Sequence, residues 1–347
     1  MKVKETCIIA CFVIALLGMR QTLEAKWGLE DVIEKGQILY ELGGGSNSIL
    51  NPESVTEDEL PILLKNPKRE GYLFGGWYLD ENWEERIRDP KVECMSSDEM
   101  AALQSKRLVD VVKRVYDHVD FYHKKMKETG VEPGDIRSIE DINKLPFTTK
   151  EDLRANYPFG LLAIPQSDVV RVQGTSGTTG KLTIAPYSQK DVEVWGECVA
   201  RCLTMAGLTK DDILHVCYGY GLFTGGLGLD FGARALGAMT IPMSAGNTKR
   251  QMMVMEDLGA TAFACTPSYA LYLAESIQEA GLTDRLKIRA GIHGAEPWTE
   301  EMRLKIEELL NVNCFDIYGL CEITGPGVAL ECIHHKGMHI YEDYFYP

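Results

Sequence analysis

Residues 173–181 read QGTSGTTGK: three glycines and four hydroxyl side chains, closed by the charge of Lys181. The stretch lies between two extended-looking runs, VVRV at 169–172 and LTIA at 182–185. Glycine lets the main chain approach an anion and adopt positive φ, so such a loop offers backbone N–H groups and hydroxyls to a polyphosphate. The spacing excludes a Walker A loop, which needs four residues between its glycines and a Ser or Thr after the lysine. Here five residues separate Gly174 from Gly180, and Leu182 follows Lys181. The run after Lys181 ends at Pro186, which suits strand and turn better than a long helix. Alone, the loop would also pass for a flexible connector, so its neighbours decide.

Working outward, β-branched runs alternate with helical segments from about residue 168 to the end. Strands are expected at Asp212–Cys217, Met239–Met243, Thr261–Cys265, Leu286–Ile292 and Asn313–Ile317. Helices are expected at Asp191–Ala206, Leu227–Leu236, Lys249–Leu258, Tyr269–Ala280 and Glu300–Leu310. This alternation predicts an α/β fold with parallel sheets flanked by helices. Ligands in such folds gather at the carboxyl ends of the strands.

Four loops follow those ends. YGYGLFTGG at 218–226 mixes aromatic and glycine residues, enough to wall a flat apolar pocket. SAGNT at 244–248 adds small polar groups. In GAEPW at 294–298, Glu296 reads as a cap for the next helix and Pro297 as a first-turn residue. In YGLCE at 318–322 an aromatic beside glycine can stack a purine, and Glu322 is a hard oxygen ligand for a divalent cation. Each loop alone would pass for an ordinary turn.

Upstream, Ser96 and Glu99 have capping-box spacing, and Leu108, Val111, Val112, Val115 and Val119 form one apolar helical stripe. Gly130 and Pro133 are expected to end that helix, and a short one is expected near Lys150–Asn156. Residues 1–90 read as a separate extension from the domain at 91–347. Its apolar run from Cys7 to Met19 suits a signal-peptide core or a buried helix equally, and is short for a membrane span. A Gly/Ser-rich joint follows at Gly43–Ser48, then an aromatic patch, GYLFGGWYLDENW, at 71–83.

The net charge of −15 over 347 residues argues against nucleic acid as a partner, because phosphate backbones want basic surface. The ten cysteines show no C-x-x-C pair and read as free thiols of a reducing compartment. Cys198 and Cys202, one helical turn apart, read as core. Cys332 with His334, His335 and His339 is a faint metal pattern lacking a second close ligand group.

The segments TSGTTGK, YGYGLFTGGLG, SAGNT, TPSYALYLAE, GAEPW, DIYGLCE, GPGVALEC and YEDYFYP, in this order, make residues 92–347 resemble the phenylacetate–CoA ligases of the adenylate-forming superfamily. The patch at 67–90 resembles one unit of the Listeria–Bacteroides repeat. The first resemblance implies a large N-terminal domain that turns an arylacetate, ATP and coenzyme A into the acyl-CoA, AMP and pyrophosphate, with Mg²⁺. It implies that Thr175, Ser176, Gly177, Thr178, Thr179, Gly180 and Lys181 hold the ATP phosphates. Gly294, Ala295, Glu296 and Pro297, with Asp316, Tyr318 and Gly319, would frame the adenosine. Glu322 would bind Mg²⁺ and, with Lys181, serve catalysis. Tyr218, Tyr220, Phe223, Ala245 and Gly246 would line the acid pocket. A small-molecule acid, ATP and CoA are then the partners; the setting is cytoplasmic, no membrane is expected, and a homodimer is compatible.

Three positions depart from the family pattern: Leu182 for Pro, Cys321 for Ser or Thr, and His293 for Phe. His293 reads first as a packing substitution; the alternative is that its titration makes nucleotide binding mildly pH-sensitive. The family continues past YEDYFYP into a small domain carrying a hinge and an assisting lysine. The expectation is a fragment or rearranged gene with impaired adenylation, and YEDYFYP is read as strand-like. Rival readings are an adenylating enzyme for another aromatic acid and a secreted or surface binding protein built on residues 1–90.

Overall fold

The structure is a computed structural model. It describes residues 95–175 and 182–347, with the backbone of one antiparallel pair, Gly36–Gln37 against Ser54–Val55. The apolar run, the Gly/Ser joint, the aromatic patch and residues Ser176 to Lys181 of the phosphate loop lie outside the described residues.

The predicted alternation is present. Strands β1 (Val169–Gly174) and β2 (Ile184–Ser188) form an antiparallel hairpin that ends at the phosphate loop. Five strands then pair in parallel: β3 (Ile213–Val216), β4 (Met239–Ile241), β5 (Ala262–Cys265), β6 (Ala290–Gly294) and β7 (Asn313–Leu320). Two antiparallel strands, β8 (Gly325–Glu331) and β9 (Met338–Ile340), extend one edge, giving the order β9-β8-β7-β6-β5-β3-β4. The sheet is therefore mixed rather than wholly parallel.

Successive side chains on a strand point to opposite faces, so both faces of a covered sheet must be apolar. Ala262 and Ala264 of β5 join the core that holds Trp195, Val199, Leu203 and Leu229, while Phe263 and Cys265 join the one that holds Met255, Leu273 and Ile306. Helices α4 (Gln189–Met205) and α5 (Thr224–Leu236) cover the first face. Helices α6 (Thr248–Asp257), α7 (Pro267–Glu279) and α8 (Glu300–Leu310) cover the second. A reciprocal box opens α4: Ser188 Oγ accepts from Asp191 N–H at 3.2 Å, and Asp191 Oδ2 accepts from Ser188 N–H at 2.8 Å.

Several boundaries differ from expectation for identifiable reasons. The long first helix is two, α1 (Ser97–His118) and α2 (Asp120–Glu128), because Val119 turns extended between them at φ −123°. The short helix α3 (Lys150–Ala155) stands as expected. Strand β2 carries on through Pro186, which pairs with Val172. Strand β6 starts at Ala290 rather than Leu286, where Ala262 of β5 first offers a partner. Strand β7 runs on to Leu320 because β8 pairs with its last residues, so Tyr318 and Gly319 lie in the strand. YEDYFYP is turn rather than strand, anchored by Asp343, whose Oδ1 accepts from Arg201 Nη1 at 3.0 Å. Among the described residues no helix is long and apolar enough to cross a membrane.

Candidate active site

The aromatic, SAGNT and GAEPW loops leave the carboxyl ends of β3, β4 and β6, and hydrogen bonds join the aromatic loop to the other two and to the β1–β2 hairpin. At the neck of the phosphate loop, Thr175 N–H donates to Thr183 O at 3.0 Å, and Thr183 N–H donates to Thr175 Oγ1 at 3.3 Å. Just below, Gly174 N–H donates to Leu222 O at 2.8 Å. The fully buried Gln173 amide donates to Leu222 O at 2.6 Å and Gly221 O at 3.1 Å. The phosphate hairpin is thus fixed to the aromatic loop before the described residues stop at Thr175.

Tyr218 makes the next connection. Its hydroxyl donates to Cys265 O at 2.7 Å, lies 3.2 Å from Gly294 O, and accepts from Gly294 N–H at 3.0 Å. Burial drives the phenol far above its usual range, so it stays a neutral donor. One side chain therefore links the aromatic loop, the end of β5 and the first residue of GAEPW. The neighbouring Tyr220 N–H donates to Ser244 Oγ at 3.2 Å, tying in SAGNT. Phe223 is 52 % exposed at the start of α5, and Ala245 and Gly246 are exposed too.

Glu296 does not cap α8, whose cap is Thr299, accepting from Met302 N–H at 3.2 Å. Its carboxylate instead accepts from Ser268 Oγ at 2.6 Å and Ser268 N–H at 3.3 Å, in the first turn of α7. Pro297 lies before the Thr299 cap rather than in the first turn. On β7, Asp316 is half-buried, and desolvation raises its carboxyl from 3.8 to about 6. Tyr318 is 44 % exposed near the end of β7. A Cβ on Gly319 would strike the Gly325 carbonyl, so only glycine lets β7 and β8 cross so closely.

Three of the six non-glycine residues with positive φ among the described residues fall in these loops: Ser244, Asn247 and Ala295. Such conformations cost about 1–3 kcal/mol each and persist where the surroundings over-determine them, commonly at binding sites.

Glu322 stands on the turn after β7, its Oε1 3.7 Å from Lys150 Nζ at the start of α3. Among the described residues no three His, Cys, Asp or Glu side chains converge on a metal-sized site, those at Cys332–His339 included. One carboxylate is nevertheless the usual protein share of a Mg²⁺ site that substrate phosphates and water complete. Glu322, loosely paired and hard, fits that role.

His293 is fully buried on β6, and burial pushes its imidazole from 6.5 down to about 4, so it does not titrate near neutral pH, which leaves the packing reading. The seven described cysteines are free thiols, with Cys198 and Cys202 in the core as expected. Reading the sequence alone misses Gln173, Lys150, Ser268, His215 and Gln251. The detectable signal was a glutamine on an apolar helix face, Gln251 beside Met252 and Met255.

A parallel-sheet edge ringed by glycine-rich loops, with a hairpin phosphate loop and a strand-end aromatic, defines a nucleotide-binding α/β domain. The family model of the AMP-binding enzymes matches residues 90–341, and the chain belongs to that family. Residues 37–98 match the Listeria-Bacteroides repeat domain, in line with the resemblance of the aromatic patch. The chain is 49 % identical over 263 residues to phenylacetate-coenzyme A ligase of Pseudomonas putida, covering 75 % of this chain and 60 % of that protein. It is 47 % identical over 262 residues to the same enzyme of Escherichia coli K12, covering 75 % of this chain and 60 % of that protein. The chain thus spans about 60 % of the length of these curated relatives. A crystal structure of 2-hydroxyisobutyryl-CoA ligase in an open conformation, with 2-HIB-AMP and CoA, superposes with a TM-score of 0.69 at 26 % identity, covering 76 % of this chain and 64 % of that one.

Proposed function

We propose that the chain carries the acid- and nucleotide-binding part of an AMP-forming acid–thiol ligase for an arylacetic acid, with ATP and coenzyme A as co-substrates. The observation that carries this is the 49 % identity to a phenylacetate-coenzyme A ligase across the segment bearing these loops. The hydrogen bonds that tie the aromatic loop to Gly174, Ser244 and Gly294 support it physically, because they hold side by side the segments assigned here to phosphate, acid and adenosine.

In this proposal Thr175 to Lys181 cradle the ATP phosphates. Gly294 to Pro297, Asp316, Tyr318 and Gly319 surround the adenosine, with the Tyr318 ring against the base. Tyr218, Tyr220, Phe223, Ala245 and Gly246 enclose the aryl group. A carboxylate is already an anion at neutral pH and needs no general base to attack the α-phosphate. The obstacle is bringing two anions together and stabilising the pyrophosphate that leaves, which is a matter of positioning and of preorganised N–H donors. Mg²⁺ at Glu322 would neutralise phosphate charge. Because ATP and CoA are intracellular, a cytoplasmic setting goes with this activity.

The test is calorimetric binding of a non-hydrolysable phenylacetyl-adenylate analogue to the purified chain, with an aliphatic acyl analogue and AMP as controls. Aryl-selective binding is expected. Equal binding of all three would dismiss the arylacetate assignment, and no binding of any would dismiss the nucleotide site.

A further inference from the structure

Beneath the SAGNT loop lies a buried polar hub of Gln251, His215 and Cys217. Gln251 of α6 has no exposed surface, and neither does His215 of β3. The Gln251 amide nitrogen donates to Ser244 O at 2.7 Å and to Gly246 O at 3.1 Å, using both of its hydrogens. Its oxygen lies 2.5 Å from His215 Nε2 and 3.5 Å from Cys217 Sγ, which donates to it. Both partners of the nitrogen are carbonyls, so the amide orientation is fixed. The oxygen must then accept, and His215 must carry its proton on Nε2.

The loop held this way is one that would not hold itself. Ser244 at φ 67°, Gly246 at φ 95° and Asn247 at φ 50° are all left-handed within four residues. Ser244 N–H donates to Val216 O at 3.1 Å, and Ser244 Oγ accepts from Tyr220 N–H at 3.2 Å. The hub thus sets the height of Ala245 and Gly246 above the sheet and, through Ser244, the place of Tyr220.

We infer that Gln251, oriented by His215, is the positioning residue that fixes the floor of the acid pocket and thereby the preference for a flat aryl group. This rests on the acid-pocket assignment made above. Gln251 touches no substrate; it acts through two carbonyls. Gln251→Met keeps the length and apolar packing of the side chain while removing both donors and the acceptor. Freed from the amide, the left-handed segment relaxes and the floor loses its shape.

The experiment measures binding of phenylacetyl- and hexanoyl-adenylate analogues and of AMP to the full chain and to Gln251→Met. The variant is expected to lose on the order of 10- to 100-fold in aryl-analogue affinity, with AMP unchanged within about twofold and aryl selectivity largely gone. That split is one a merely structural role would not produce. Equal loss for all three ligands, or aryl selectivity kept in the variant, overturns the inference. Should Gln251→Met fail to fold, Ser244→Ala, which removes only the tie to Tyr220 from the loop side, is expected to narrow the selectivity several-fold; unchanged selectivity there overturns it equally. A wild-type chain that binds AMP but neither acyl analogue better would instead remove the acid pocket itself, and the inference with it.

Discussion

The Lys150 ammonium lies 3.7 Å from the Glu322 carboxylate, joining the start of α3 to the turn that follows β7. The two side chains are 52 % and 23 % exposed, and a pair so open to solvent contributes only about 0–1 kcal/mol. Its consequence is therefore local: the carboxylate proposed to hold a divalent cation already has a counter-charge beside it.

Removing either partner should separate stability from ligand binding. Lys150→Met is expected to leave unfolding free energy within about 1 kcal/mol and, by removing the positive charge beside Glu322, to make Mg²⁺-dependent ATP binding no weaker. Glu322→Gln is expected to abolish the Mg²⁺ dependence of ATP binding and leave AMP affinity within about threefold. Titration calorimetry with and without Mg²⁺ checks both. Mg²⁺-dependent ATP binding that survives Glu322→Gln would assign the cation elsewhere.

Tyr218→Phe deletes a single oxygen that serves Cys265 O and Gly294 N–H. A buried group left unpaired costs about 1–3 kcal/mol, so urea unfolding should show a loss of that order. Because Gly294 opens the segment proposed to frame the adenosine, AMP affinity should fall with it. A variant of unchanged stability would mean that water replaces the hydroxyl.

How much of this was legible beforehand depended on whether the signal was local. The strand–helix alternation and the loops after β3, β4 and β6 come from β-branched runs and glycine, which a linear sequence displays. The reach of β7 to Leu320 was hidden because it depends on pairing with β8, where Leu320 meets Gly325 and Gly319 meets Pro326. The start of β6 was misjudged because residues before Ala290 are extended without a partner in β5. Glu296 was given to the wrong helix for a similar reason: its partner Ser268 is 28 residues away. The Gln251 hub escaped because a lone buried amide has no motif, only a place.

Asp316 gives a pH signature of definite sign. Its folded value, about 6, is above its ordinary 3.8 because burial disfavours the anion. A raised carboxyl contributes stability in full below its ordinary value, and loses it as pH rises through about 6. Asp316→Asn should therefore be more stable than the parent at pH 7.5 by about 1–2 kcal/mol, after allowance for partial solvent screening, and indistinguishable from it near pH 4. Urea midpoints at the two pH values decide this, and a gain of equal size at both would point to packing instead of ionisation.

His293 should work in the opposite direction. Its imidazole sits between Phe263 and Trp298, with ring centroids 5.0 and 5.5 Å away, Nδ1 3.2 Å from Cys265 O, and Nε2 buried without a partner. A Cβ on Gly291 would collide with Nε2, so the ring occupies the space that glycine leaves. With a folded value near 4 against 6.5, its contribution is complete above about 6.5 and is lost as pH falls through about 4. The shift corresponds to roughly 3 kcal/mol between those limits. His293→Phe keeps an aromatic ring in the slot and removes both the titration and the orphaned nitrogen. It should gain about 1 kcal/mol at pH 7 and resist acid unfolding to a lower pH than the parent. Between pH 4 and 6 the terms of Asp316 and His293 oppose each other and largely cancel in the parent, so each single variant should steepen the stability profile, the two in opposite senses. The double variant should be about as flat as the parent over this range, and a double variant as steep as either single one would show that these two groups do not govern it.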